Sequence, residues 1–231
     1  MFNSLKFKVI LFGFIFTFFS SFGQSYFLGL FNSSIREALS ITHGQFGSIY
    51  ASATLCSSLL LIWVGKKIDD VNIFKFAFFV TVLLSFACFF FSRITSVFLL
   101  FVAIFLMRFS GQGMMSHTAS TTISRYFTRT RGKALSISWF GLSSAEFIMP
   151  VLMVYLLTII DWQNLWLIFS ITVLIVLPIA SFLLIKNLNL DSREANDENI
   201  KEVEIKQWKR IEVIKDYRFY IISSNMLAMP W

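Results

Sequence analysis

The chain has 231 residues, of which 56% are apolar, only 14% are charged and 29 are Phe. A soluble domain carries about 25% charged residues to clothe its surface, so a water-facing exterior is excluded and the chain reads as an integral membrane protein. The net charge of +7 does not point to nucleic acid. Up to residue 186 there are 13 Lys/Arg and 5 Asp/Glu, against 7 and 8 from 187 onward, and the basic residues sit in short clusters between long apolar runs. That is the pattern of loops between membrane helices, not the basic stripe of a nucleic-acid module. Cys56 and Cys88 lie inside apolar runs and provide no disulfide framework.

A helix needs about 20 mostly apolar residues to cross the hydrocarbon. In chain order the qualifying segments are 9–31, 44–64, 73–92, 97–120, 136–159 and 165–185. The first has the basic flank of a signal peptide in Lys6 and Lys8 and a small-residue site at Ser20 and Ser21. Its apolar run continues through residues 26–31, which makes it an uncleaved helix. A last apolar run begins near Phe219 and reaches Trp231, too short to cross. The expected fold is all-α, a polytopic membrane helix bundle. Residues 1–186 supply six transmembrane helices, 187–216 a linker and 217–231 the start of a seventh helix. Within the linker, 191–204 is polar and acidic, and Trp208 with its basic neighbours reads as a short solvated surface helix. Loops this short predict that consecutive helices are antiparallel neighbours.

Orientation follows from alternate loops. Lys6, Lys8, Lys66, Lys67, Lys75, Arg125, Arg129, Arg131, Lys133 and Lys186 fall on one side, and only Arg36 and Arg93 on the other. The positive-inside rule then puts the N-terminus and the 187–216 linker in the cytoplasm of a protein of the cell (inner) membrane.

Ionisable groups near the bilayer centre are costly, and each is a functional candidate. Arg108 lies eleven residues past Val97, about 16 Å down the fourth helix at 1.5 Å per residue. Glu146 lies midway along the fifth. If these helices form a hairpin, the two charges face one interior, either as a static ion pair or as part of a solute pathway. Gln112 falls one turn below Arg108, and an Arg with an amide beside it can hold a carboxylate through parallel N–H bonds. Ser21, Gln24 and Ser25 form a polar patch in the first helix, and Tyr50 adds a hydroxyl in the second. His117 is expected to make an interhelical hydrogen bond. Gly44, Gly47, Ser48, Ala51 and Ser52 line a small-residue face of the second helix, the kind that lets backbones approach. The two His are far apart, so no metal or other cofactor is expected. Neither a phosphate loop nor a zinc-protease or nucleophile motif occurs, and the chain does not read as an enzyme.

Several short segments carry a resemblance. Gly65-Lys-Lys-Ile-Asp69 resembles the Gly-x-x-x-Asp core of the signature loop of the major facilitator superfamily. Arg108-Phe-Ser-Gly-Gln-Gly113 looks like that family's fourth-helix motif, and Arg125-Tyr-Phe-Thr-Arg-Thr-Arg131 like its basic turn between helices four and five. Ser21-Phe-Gly-Gln-Ser-Tyr26 and Gly44-Gln-Phe-Gly-Ser-Ile-Tyr50 are similar to the bacterial branch related to monocarboxylate and oxalate/formate carriers. Departures are plain: Asp70 stands where the signature has its first Arg, and Lys75 is the nearest later cation. The fifth helix holds Gly141, Glu146 and Pro150 instead of the Gly-Pro-rich pattern of drug/proton antiporters.

The resemblance implies a secondary transporter working by alternating access, with cargo bound at the midplane between two six-helix halves. The missing C-terminal half of the carrier is then an expected partner, beside the lipid bilayer. The resemblance also implies gating roles for Gly65, Asp69, Arg129 and Arg131. The cargo expected is a small organic anion such as a monocarboxylate, bound by Arg108, Gln112, Gln24 and Tyr50, with protons as coupling ion and Glu146 as their carrier. The alternatives are a drug or metabolite efflux carrier of the same superfamily and a half-length membrane scaffold that transports nothing.

Overall fold

A computed structural model describes residues 4–127, 129–186 and 210–228. All regular elements among them are helical. Six helices are long and apolar enough to cross a membrane: Leu5–Gly29, His43–Asp69, Ile73–Phe91, Val97–Tyr126, Arg131–Leu156 and Trp162–Ile185, hereafter spans one to six. They match the six predicted segments. Polar residues just ahead of the apolar runs fix where several begin. Thr42 and Gln45 form a reciprocal capping box at span two, Asn72 Oδ1 accepts the Phe74 N–H at 2.9 Å at span three, and Ser96 Oγ accepts the Leu99 N–H at span four. A helix not anticipated from the sequence, Asn32–Leu39, follows span one and ends at Ser40, whose φ of 52° is left-handed.

The packing does not follow chain order. Span one packs mainly on span five and also on spans four and six; span three packs on span six; span four contacts one, two, three and, near its end, five. Spans two and three, and five and six, are not packing partners. The expectation of antiparallel neighbours therefore holds for spans three and four and in part for four and five, and is corrected for the other consecutive pairs. Short loops fix only where the helix ends lie, and the small and polar faces decide which lengths meet.

Those faces are identifiable. At the one–five crossing a methyl on Gly13 would press on the Ser138 side chain, and one on Gly141 would press on the Phe14 carbonyl. Thr17 Oγ1 donates to the Ser138 carbonyl at 2.6 Å in the same place. At the three–six crossing Ser85 Oγ donates to the Ser170 carbonyl at 2.9 Å and Ser170 Oγ returns the bond at 2.8 Å. Close approach with interhelical hydrogen bonds is how helices associate where apolar contact alone gives little preference. The predicted small-residue face of span two does not play this part. Gly44, Gly47, Ser48, Ala51 and Ser52 are exposed, and a methyl on Gly44 or Gly47 would meet nothing within 4 Å.

Aromatic rings join spans one, three and six. Trp166 is fully buried, with Phe91 centred 4.5 Å away, Phe31 at 5.1 Å and Phe27 at 5.6 Å, while Phe22 stacks on Phe169 at 4.9 Å. Tilted and edge-on pairs of this kind add to simple burial.

The chain divides into two units, Met1–Glu194 and Ala195–Trp231. The described part of the second holds the helices Arg210–Lys215 and Tyr217–Ala228, with Asp216 Oδ1 accepting the Arg218 N–H at 2.9 Å. The acidic stretch 191–204 and Trp208 lie outside the described residues.

Candidate functional site

The site is built where two spans lose regular helix. Span one is α-helical to Ser20, tightens into a 3₁₀ turn at Ser21–Gly23, becomes extended at Gln24 (φ −80°, ψ 153°) and resumes at Ser25–Gly29. Span four is π-helical over Arg108–Met115. A π segment inside a helix commonly marks a functional position, and broken backbone at membrane depth is tolerated where its polar groups find partners or line a polar site.

The two irregular segments lie against each other, backbone to backbone. A methyl on Gly111 would meet Gly23 N at 2.7 Å and Gly23 Cα at 2.8 Å. A methyl on Gly23 would strike the Met107 carbonyl and the Gln112 amide. Only glycine on both sides permits this crossing.

The crossing delivers Arg108 to the break. Its guanidinium is 7% exposed. Nη1 donates to the Gly23 carbonyl at 3.0 Å, an oxygen that the broken helix leaves without its usual partner, and to Ser25 Oγ at 3.2 Å. Tyr50 reaches across from span two. Its hydroxyl donates to Ser25 Oγ at 2.9 Å, and its ring centre lies 5.4 Å from the Arg108 Cζ, a cation–π arrangement. Among the described residues Arg108 Nε is buried without a partner, as is the hydroxyl of Ser116 just past the π segment. A buried donor left unpaired typically costs about 1–3 kcal/mol, and such groups are the ones a polar ligand can satisfy.

Of the four predicted binding residues, Arg108 and Tyr50 are brought together. Gln24 and Gln112 are half-buried within the two broken segments, and neither side-chain amide has a hydrogen-bond partner among the described residues. Ser25, part of the polar patch expected in the first helix, and Gly23, which was not anticipated, complete the network. A glycine beside Gln24, matched by Gly111 in span four, was the available signal.

The ion pair between Arg108 and Glu146 is not formed. Among the described residues Arg108 has no acidic partner, and Glu146 is exposed on span five. Span five packs chiefly on span one and meets span four over Ser116–Tyr126, past Arg108, so the two charges are not drawn to one interior. An open groove lies elsewhere, at the start of span two, lined by Ile41, Gly44, Ser48 and Val97 among others.

A second set of contacts sits at the cytoplasmic end expected from the charge count. Span four runs 30 residues, about 45 Å at 1.5 Å per residue, and so overshoots a hydrocarbon core of about 30 Å. Its projecting end meets the 3₁₀ turn Gly65–Asp69 that closes span two. His117 Nε2 bonds the Gly65 carbonyl at 2.9 Å, the interhelical bond expected of that His. Arg125 Nη2 donates to the Ile68 carbonyl at 3.2 Å and pairs with the Asp69 carboxylate. The partner of Asp69 is thus Arg125. Arg129 is exposed in the turn, and Arg131 is exposed where span five opens.

Apolar spans around an unmatched midplane cation, with a separate clasp at one membrane face, define a polytopic membrane transporter. The sequence model of the Major Facilitator Superfamily matches residues 13–229, and the chain belongs to that family. No curated protein matches the chain significantly. The protein is accordingly a multi-pass membrane transporter with a small-molecule substrate, and its family comprises transporters, not enzymes.

Proposed function

We propose that the protein moves a small organic anion, a monocarboxylate, across the membrane by alternating access, with Arg108 as the group that receives the carboxylate. One observation carries this reading: Arg108 is a buried guanidinium at mid-span with no acidic partner among the described residues. An intramembrane cation without a counter-charge is expensive, and an anionic cargo supplies the missing charge. Gln24 and Gln112 flank it with unpaired amides, and Tyr50 orients the guanidinium plane.

In this reading residues 1–186 are one half of the carrier, 187–216 a cytoplasmic linker and 217–231 the opening of the seventh span. Glu146 serves as proton carrier for symport, and the Asp69–Arg125 clasp with Gly65, Arg129 and Arg131 belongs to the cytoplasmic gate. The test is uptake into cells producing the protein, using labelled monocarboxylates of two to eight carbons competed by unlabelled acids and by their amides. Competition by acid and not by amide is expected; equal competition by the neutral amides would refute an anionic cargo.

A further inference from the structure

We infer that Ser25 is a second anion-binding group of this site, and that its hydroxyl and Arg108 Nη2 together seat a carboxylate. The inference rests on the anionic-cargo reading above and assigns its donors.

The argument is a count of hydrogens. A guanidinium has one N–H on Nε and two on each Nη. Both Nη1 hydrogens are taken by protein, one by the Gly23 carbonyl and one by Ser25 Oγ. Nε is buried. Among the described residues no geometrically defined hydrogen bond takes the Nη2 hydrogens, and Nη2 is not sealed like Nε, so it is the donor that faces outward.

Ser25 is counted the same way. A hydroxyl has two acceptor positions and one proton. Its oxygen accepts from Arg108 Nη1 at 3.2 Å and from the Tyr50 hydroxyl at 2.9 Å. With both acceptor positions filled, the Ser25 proton can only be donated away from them, and no described group takes it. Ser25 is exposed. Tyr50 therefore acts as a positioning residue: its O–H fills the acceptor position through which Ser25 could otherwise turn inward. Nη2 and Ser25 Oγ both adjoin Nη1, which brings them within the span of the two oxygens of one carboxylate.

The experiment measures competition against uptake of the best labelled monocarboxylate, with unlabelled acids and their amides as competitors. Each acid and its amide share a carbon framework and differ by one charge. Ser25→Ala should weaken the monocarboxylate about tenfold, as expected for losing a bond to a charged group. Ser25→Thr, which keeps the hydroxyl, should stay within about threefold of wild type on the same scale. A merely structural Ser25 would lower maximal uptake while leaving the acid-to-amide discrimination ratio unchanged.

The outcomes separate the two claims. If Ser25→Ala keeps wild-type affinity and discrimination while Arg108→Lys loses them, the Ser25 assignment is wrong and the anion reading stands. If no acid is preferred over its amide, the parent reading fails and this one with it.

Discussion

Span four makes two polar attachments, and they differ in how completely they are satisfied. Near its C-terminal end, Arg125 has both an acidic partner and a carbonyl, and His117 has the Gly65 carbonyl. At mid-span, Arg108 has a carbonyl and a hydroxyl but no acid, and it keeps donors free. Both sites use the same kind of backbone irregularity, a 3₁₀ turn whose carbonyls a neighbouring span can reach. A matched charge can hold two elements together unaided, whereas an unmatched one in the membrane interior calls for something from outside the chain. The first describes a latch, the second a binding site.

The largest expected effect probes the crossing that presents Arg108. Gly23→Ala puts a methyl against backbone atoms of Met107 and Gln112 that cannot swing aside. Overpacking commonly costs about 1–3 kcal/mol, and with backbone on both sides the upper end or beyond is expected. Detergent thermal unfolding should show a large drop; an unchanged midpoint would mean the two spans do not cross as described.

Next comes Arg108→Lys. It retains the charge but replaces a planar group of five donors by a point charge, so both bonds to the first-span break are at risk. Affinity for a carboxylate should fall about tenfold or more, the consequence of losing a charge-assisted bond, while the protein stays in the membrane. Equal affinity would show that geometry at Arg108 is immaterial.

Asp69→Asn touches the latch. Asp69 is 59% exposed, and exposed ion pairs contribute about 0.2–1 kcal/mol. Removing its charge should shift the balance between inward- and outward-open forms by at most about fivefold on that figure, measured by cysteine accessibility, with cargo affinity unaltered. Lost affinity with unchanged accessibility would place Asp69 in the wrong region. The smallest effect belongs to Gly47→Ala, which meets nothing within 4 Å. Stability should move by no more than about 0.5 kcal/mol, as is usual for surface changes, in contrast to Gly23→Ala.

The legible part of this molecule was the part written in hydropathy. Span number and approximate bounds followed from runs of apolar residues, because crossing hydrocarbon sets a length and a composition. Arg108 stood out for the converse reason. Neighbour relations were not legible. Loop length suggested that span five would lie along span four, yet Gly13, Thr17, Ser138 and Gly141 draw it to span one. The same misjudgement produced the expected Arg108–Glu146 pair. Gly44 and Gly47 have the composition of a packing face, as Gly13 and Gly141 do, and composition alone does not say which face has a partner. The π segment and the 3₁₀ break were hidden too, since irregular backbone depends on what the opposite span offers to the freed carbonyls. Ser25 gained its place only when two donors from different spans converged on it.

The most direct test of the central claim is the double substitution Arg108→Gln with Glu146→Gln, assayed for membrane assembly and for carboxylate binding, which needs no proton coupling. If Arg108 is an anion seat, removing both charges leaves a protein that assembles and does not bind carboxylate, because Glu146 was never its counter-charge. Restored binding in the double substitution, with Arg108→Gln alone defective, would contradict the account and make the two charges a structural pair.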